Sequence, residues 1–352
     1  MPIFLFSCLL LLFGSLGMSR LLAAEPLVIA HRGASGYLPE HTLESKVLAF
    51  AQGADFIEQD VVMTRDDQLV VIHDLTLERT TDVAALFPGR ARADGSYYVI
   101  DFTLEELRRL AVSEGRRQDG QAQYPQRFPA GTSRFGLHTL EEELELIRGL
   151  EQSTGRRVGI YPELKSPWFH HQHGKDLASA VLRVLRDQGY RSAADGVFVQ
   201  SFDHAELRRV HDDLLPALGL DLPLVQLIAE NAWQETFERA EDGQWRPADY
   251  LWMQTPQGLQ SLATWVVGVG PAFTMLLEAG TPAEPRANGF VAAAHAAGLV
   301  VHPYTFRQEA NQLPPFAASL PALLTFFLDD VGVDGVFTDF PDVAVRVRSG
   351  LP

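Results

Sequence analysis

Two histidines stand out because each closes a short apolar run and has a charged neighbour. His31-Arg32 follows LVIA (27–30), and His73-Asp74 follows LVVI (69–72). Two imidazoles on either side of one substrate can act as general base and general acid near neutral pH. Glu58 and Asp60 lie two apart in DFIEQDVV (55–62), and Glu163 and Lys165 repeat that spacing in VGIYPELK (158–165). In a strand, residues two apart share a face. Apolar neighbours (Phe56, Ile57, Val61 and Val62; Ile160 and Leu164) make it hard for these pairs to face outward. Three carboxylates brought together repel unless a cation separates them, and a hard divalent ion with oxygen ligands meets that need. A buried salt-bridge network, with Arg32 and Lys165 neutralising the acids, meets it as well. Arg32 offers a forked donor suited to a phosphate, and Lys165 a point charge. A metal, two histidines and two cations around one pocket describe phosphoryl transfer on an anionic diester.

Such a site needs a scaffold that brings several strand ends together. Nine short β-rich runs punctuate the chain: LVIA (27–30), DFIEQDVV (55–62), LVVIH (69–73), VGIYPELK (158–165), VFVQSF (197–202), LPLVQLI (222–228), WVVGVG (265–270), LVVHPYTF (299–306) and DGVFTDF (334–340). Amphipathic stretches at 139–150, 175–188, 204–215, 286–297 and 318–330 lie between most of them. Apolar strands separated by helices imply a parallel sheet covered on the outside. The repeat predicts an α/β fold, a TIM-type (β/α)8 barrel. One run is surplus, and WVVGVG, the weakest, is a candidate for a loop lining the mouth. Only MTRDDQ separates the second and third runs, too short for a helix, so an unusual parallel link or a hairpin-like connection is expected. The stretch at about 75–138 is rich in Gly, Pro, Arg and Asp, with one helical piece around 103–112. It is too long for an ordinary βα loop. It reads as an insertion after the third strand, lying over the C-terminal face where such barrels gather their reactive groups.

Composition narrows the options. The chain has 352 residues, 46% of them hydrophobic, which is that of a globular protein and not of a disordered one. Its net charge of −16 argues against nucleic acid or an anionic membrane as the main partner. Residues 3–17, IFLFSCLLLLFGSLG, carry no charge and are short for a membrane span. They fit the apolar core of a secretory signal with cleavage near Ala24, an uncleaved anchor being the alternative. Residues 1–24 are thus read as a signal peptide and 25–352 as a single barrel domain, exported and soluble. The one cysteine, Cys8, goes with the signal, so disulfides, thiolate catalysis and Cys-ligated zinc are excluded from the mature chain. His170-His171-Gln172-His173 invites a zinc reading, but a loop of exposed histidines at the rim, with Trp168 or Phe169 lining the entrance, is the better expectation. His302-Pro303-Tyr304 and Thr338-Asp339 are open to structural and substrate-binding roles alike. Serine-hydrolase and nucleotide-binding signatures are absent.

HRGASGYLPEHT (31–42), EQDVVMTRDDQLVVIHD (58–74), PELK (162–165), QSFD (200–203) and DGVFTDFPD (334–342) resemble the glycerophosphodiester phosphodiesterases. RFPAGTS, GIYPELKSPWFHHQHGKD and VVHPYT resemble the periplasmic branch of that family in particular. The resemblance spans the chain from Leu27 almost to its end. It implies a TIM-type barrel that hydrolyses glycerophosphodiesters to sn-glycerol 3-phosphate and an alcohol. By motif position it makes His31 and His73 the acid–base pair and Glu58, Asp60 and Glu163 the ligands of one divalent metal. That metal is calcium in the periplasmic branch, with magnesium the other candidate. It assigns the phosphate to Arg32 and Lys165. Much of the family has P-E-N where this chain has Pro39-Glu40-His41, and His41 is given no catalytic role. Two other readings stay open: a phosphatidylinositol-type phospholipase C acting on intact lipid, and an exported protein that binds glycerophosphodiesters without turnover. The second has no need of paired histidines beside three acids.

Overall fold

The computed structural model describes residues 25–278 and 285–351. The expected signal and Cys8 lie outside the described residues. In chain order the strands are β1 (Leu27–Ala30), β2 (Phe56–Met63), β3 (Leu69–Val71), β4 (Gly159–Leu164), β5 (Val199–Ser201), β6 (Leu224–Ile228), β7 (Phe237–Arg239), β8 (Trp245–Pro247), β9 (Gly268–Pro271), β10 (Val300–Val301) and β11 (Gly335–Thr338). Eight run parallel in the order β10-β9-β6-β5-β4-β2-β1-β11. The Asp334 N–H donates to the Val301 carbonyl and the Phe337 N–H to the Pro303 carbonyl. These bonds join β10 to β11 and close the predicted TIM-type barrel.

Two expectations about individual strands need correction. WVVGVG supplies β9, a barrel strand between β6 and β10, and not a mouth loop. Its pattern is weak because its glycines are packing residues. A Cβ on Gly268 would sit 2.6 Å from a Val300 methyl, and one on Gly270 2.6 Å from a Leu227 methyl. The surplus run is β3, which turns back antiparallel on the end of β2 and pairs Val61 with Val71 and Met63 with Leu69. The segment between β2 and β3 cannot cross the barrel, so a hairpin is the connection that forms. The 75–138 segment therefore follows the third strand of the chain but only the second strand of the barrel.

Local signals explain the outer helices. Helix Leu140–Thr154 begins in a capping box between Thr139 and Glu142 and ends at Gly155, whose φ of 74° suits glycine. Its Leu144 and Ile147 pack on the barrel with Leu182 and Leu185 of helix Leu177–Asp187. Inside the barrel, Ile29, Tyr161, Val225 and Phe337 form an apolar floor. Alternation along the strands then carries His31, Glu163 and Asp339, two residues further on, to the level above that floor.

The 75–138 segment has a core of its own. Leu77, Val83, Val99, Phe102, Leu107 and Leu110 pack with Val62 and Val70 of the β2–β3 hairpin. The hairpin thus anchors the segment beside the mouth. A second small hairpin, β7–β8, follows β6; its Phe237 ring lies 4.7 Å from that of Trp168. Sequence reading missed it, because its short polar strands show no alternation.

Candidate active site

Strand register assembles the acids. Asp60 on β2 stands opposite Glu163 on β4, and Glu163 opposite Gln200 on β5. Glu58 lies two residues behind Asp60 on the same face. One oxygen from each of Glu58, Asp60 and Glu163 falls within 4.8 Å of the others, and all three residues are buried. Glu58 accepts hydrogen bonds from the Arg32 backbone N–H (2.9 Å) and the Gln200 amide (3.0 Å). Asp60 Oδ2 accepts from His41 Nε2 at 2.7 Å. Lys165 Nζ pairs with Glu163 at 2.8 Å.

These partners do not balance the charge. Asp60 Oδ1 is buried with no hydrogen-bond partner. Arg32 Nε stays 3.6 Å from Asp60, while Arg32 Nη1 reaches Glu40 at 3.0 Å. The salt-bridge alternative is thus realised closely at Lys165 and, at the longer distance, by Arg32. Burial, with Asp60 and Glu163 beside it, pushes the Glu58 carboxyl well above the carboxylate range. Burial likewise takes Glu163 up to about 8 despite Lys165. Burial also opposes the charge on Asp60, but His41 and Lys165 hold it well below its ordinary value. Three hard oxygen donors, one with an unfilled acceptor, suit a divalent cation such as calcium or magnesium.

The two histidines are oriented alike. His31 Nδ1 donates to Asp339 at 2.6 Å, and Asp339 is held by Arg127 (2.6 Å) and Arg307 (2.8 Å). His73 Nδ1 donates to Asp74 at 2.5 Å, and Asp74 is held by Arg79 at 2.5 Å. Each aspartate fixes the tautomer and leaves Nε2 as the nitrogen free for chemistry. His31 Nε2 lies 3.9 Å from Glu58, and His73 Nε2 lies 3.4 Å from Lys165 Nζ. Burial, with Arg32 nearby, pushes His31 down to about 4. Burial, Arg32 and Lys165 push His73 down to about 3. Both imidazoles are therefore neutral bases at neutral pH. His73 does not end a barrel strand; the β2–β3 hairpin delivers it to the mouth.

Arg32 sits at φ 60° and Gly33 at φ 89°. A Cβ on Gly33 would meet Ser45 Oγ at 2.5 Å, so only glycine lets this turn tuck against the following helix. The turn aims the Arg32 N–H at Glu58 and its guanidinium at Glu40.

The site residues named from sequence thus converge on one mouth. His31, Arg32, Glu58, Asp60, His73 and Glu163 line a cleft of about 420 Å³, walled on another side by Phe202, Trp233, Phe273 and Tyr304. Lys165 is buried at its edge between Glu163 and His73. The rim histidines differ from expectation. Trp168 to His171 belong to a helix, Pro167–Gln172, and His170 is buried, accepting the Met63 N–H at 3.1 Å. His171 turns to Glu206 and His173 to the Phe169 carbonyl, so the three do not converge. Trp168 and Phe169 pack on Phe237 and Tyr98 and do not line the cleft. His302 is structural, bonded to the Tyr161 hydroxyl at 3.0 Å beneath the site. Sequence reading passed over Glu40, Arg79 and Arg127, which come from a turn and from the insertion, with no strand pattern to mark them. Behind β2, buried Lys46 contacts His41 Nδ1 (3.2 Å) and Glu143 (3.1 Å), so His41 is a positioning residue for Asp60.

Fold and site define a barrel enzyme whose mouth combines two aspartate-oriented histidines with a buried acid trio that could hold a metal ion. Residues 31–343 match the Glycerophosphoryl diester phosphodiesterase family. The chain is 50% identical over 333 residues to a glycerophosphodiester phosphodiesterase of Haemophilus influenzae, covering 93% of this chain and 91% of that one. It is 45% identical over 329 residues to one of Treponema pallidum, covering 92% of each. A crystal structure from Silicibacter pomeroyi, a putative glycerophosphoryl diester phosphodiesterase, superposes with a TM-score of 0.64 at 27% identity, over 93% of this chain and 95% of that one. The chain belongs to the glycerophosphoryl diester phosphodiesterase family, and its activity is that of a glycerophosphodiester phosphodiesterase.

Proposed function

We propose that this enzyme hydrolyses glycerophosphodiesters to sn-glycerol 3-phosphate and an alcohol, that it needs one divalent metal, and that His31 and His73 exchange the protons. The observation that carries this reading is the pair of aspartate-oriented histidines beside a buried acid trio with an unfilled carboxylate oxygen. Glu58, Asp60 and Glu163 would hold the metal, calcium in the first place and magnesium as the alternative. When bound, a hard cation lowers the pKa of a hydroxyl and withdraws charge from a phosphate oxygen. Arg32 and Lys165 add positive charge for the phosphate. One imidazole takes the proton of the glycerol 2-hydroxyl as its oxygen attacks phosphorus. The other gives a proton to the departing alcohol oxygen. The anionic diester favours the protonated form of that second imidazole. The resulting cyclic phosphate is opened by water with the two histidines exchanging roles.

The test is glycerol 3-phosphate release from glycerophosphocholine, with and without a calcium chelator. Release that disappears with chelator and returns with calcium is the expected result. Release indifferent to chelator would return the acids to a salt-bridge role. The N-terminal reading is part of the same proposal: cleavage near Ala24 would deliver the enzyme to the periplasm. N-terminal sequencing of the secreted chain should begin at Glu25, and a chain retaining Met1 would point to the anchor.

A further inference from the structure

A second cavity, of about 350 Å³, shares His31, Arg32 and His73 with the cleft and is walled by Arg79, Glu114, Gln123, Tyr124 and Arg127 of the insertion. Its arginines are matched. Arg32 and Arg79 bind Glu40, Arg79 also binds Asp74, and Arg307 binds Asp339. Arg127 has Nε on Glu309, Nη2 on Asp339 and Nη1 on the Ser35 carbonyl. Glu114 is the exception. It lines the cavity and is 6% exposed, yet among the described residues no side chain donates a hydrogen bond to its carboxylate. It feels the Arg127 charge first, then those of Glu40 and Asp339, the partners of Arg32 and His31. Burial pushes it up to about 7, although the nearby Arg127 charge and the Gly115 backbone N–H oppose the rise. A buried carboxylate is costly until a cation or donor reaches it.

A diester held between the two histidines has two alcohol arms. In the reading proposed above, on which this inference rests, the glycerol arm lies with the acid trio. The leaving arm then has the second cavity beside it. We infer that this cavity is the leaving-group subsite and that Glu114 receives a primary ammonium there, as carried by glycerophosphoethanolamine. A quaternary ammonium would call for open aromatic faces. The one phenyl-type ring in the cavity, Tyr124, already has the Arg127 guanidinium 3.9 Å from its centre. A primary ammonium instead needs acceptors, which the Glu114 carboxylate and the Gln123 amide oxygen supply.

The test compares kcat/KM for glycerophosphoethanolamine with that for glycerophosphoglycerol, whose leaving alcohol is uncharged, in the calcium-loaded mature enzyme and in Glu114→Gln. The ratio of the two should fall roughly tenfold or more in the variant, the usual worth of a charge-assisted hydrogen bond. An unchanged ratio, whether both rates fall or neither does, overturns the subsite. Should the variant fail to fold, ethanolamine and ethylene glycol are compared as inhibitors of glycerophosphoglycerol hydrolysis by the native enzyme. Ethanolamine should inhibit at a concentration at least about tenfold lower, again by the charge-assisted bond; equal inhibition overturns the inference. Absence of native turnover on both diesters would count against the hydrolytic reading instead, and calorimetric binding of ethanolamine, lost in Glu114→Gln, would then decide the subsite alone.

Discussion

Two sets of carboxylates surround the same mouth and differ in the company they keep. Glu40, Asp74 and Asp339 each touch at least one arginine. Glu58, Asp60 and Glu163 share one close ammonium, that of Lys165, which contacts Glu163. The first set lies at turns and strand ends, where arginines from the insertion and neighbouring loops can reach. The second set is fixed by strand register, roughly 4.8 Å between neighbouring strands, and the Arg32 guanidinium comes only to 3.6 Å from Asp60. Paired acids orient: Asp74 and Asp339 hold the two histidines in one tautomer, and Glu40 holds Arg32 and Arg79. Crowded acids repel, and in the proposed reading a divalent cation relieves that repulsion.

The largest effects should come from the imidazoles that the paired acids hold. His31→Ala and His73→Ala should each lower kcat by roughly 10²–10⁴, the usual size of general acid–base contributions, with the circular dichroism spectrum and Tm little changed. Near-normal turnover in both would break the link between orientation and catalysis. Next in size is Lys46→Met, behind β2. It leaves Glu143 buried without its cation and should cost about 3–5 kcal/mol of stability in urea unfolding. A loss below about 1 kcal/mol, the level of an exposed pair, would show that this network does not hold the acid wall in place.

The same contrast explains what sequence reading could and could not recover. Glu58, Asp60, Glu163 and His31 were legible because alternation along a strand dictates the face each one takes. The barrel itself was legible from the recurrence of apolar runs. β9 was hard to recognise because Gly268 and Gly270 do their packing by having no side chain. His73 was found for an incomplete reason. It stands at the end of a strand, but that strand belongs to a hairpin outside the barrel. Arg79, Glu114 and Arg127 were not legible at all: an irregular segment carries no periodicity, and their roles exist only once its separate core has seated it beside the mouth. His41 lay in a recognised motif, yet its task emerges only from its contacts, Nε2 on Asp60 and Nδ1 on Lys46.

His41 gives a finer probe of the crowded acids, because it holds one of them without facing the substrate cleft. His41→Ala should weaken calcium binding about 10- to 100-fold, the usual effect of removing a ligand's hydrogen-bond partner. Calorimetric titration measures this directly. Affinity equal to that of the native enzyme would mean that register alone positions Asp60.

The smallest effect sharpens the comparison through pH. Glu143 is a paired acid: burial would raise its carboxyl, but Lys46 and the His138 hydrogen bond hold it at about 2, against an ordinary 4.5. A group depressed on folding stabilises the native state above its unfolded pKa, and that contribution is lost as pH falls toward the folded value. The stability that Glu143 supplies should therefore be complete above about pH 5 and fade between pH 4.5 and 2, the window set by those two values. Glu143→Gln removes the titration, so its urea midpoint, lower at the outset, should fall less steeply over that window than the native midpoint does. Parallel slopes would mean that Lys46 does not depress this carboxyl, and that the acid behind the wall is no better paired than those within it.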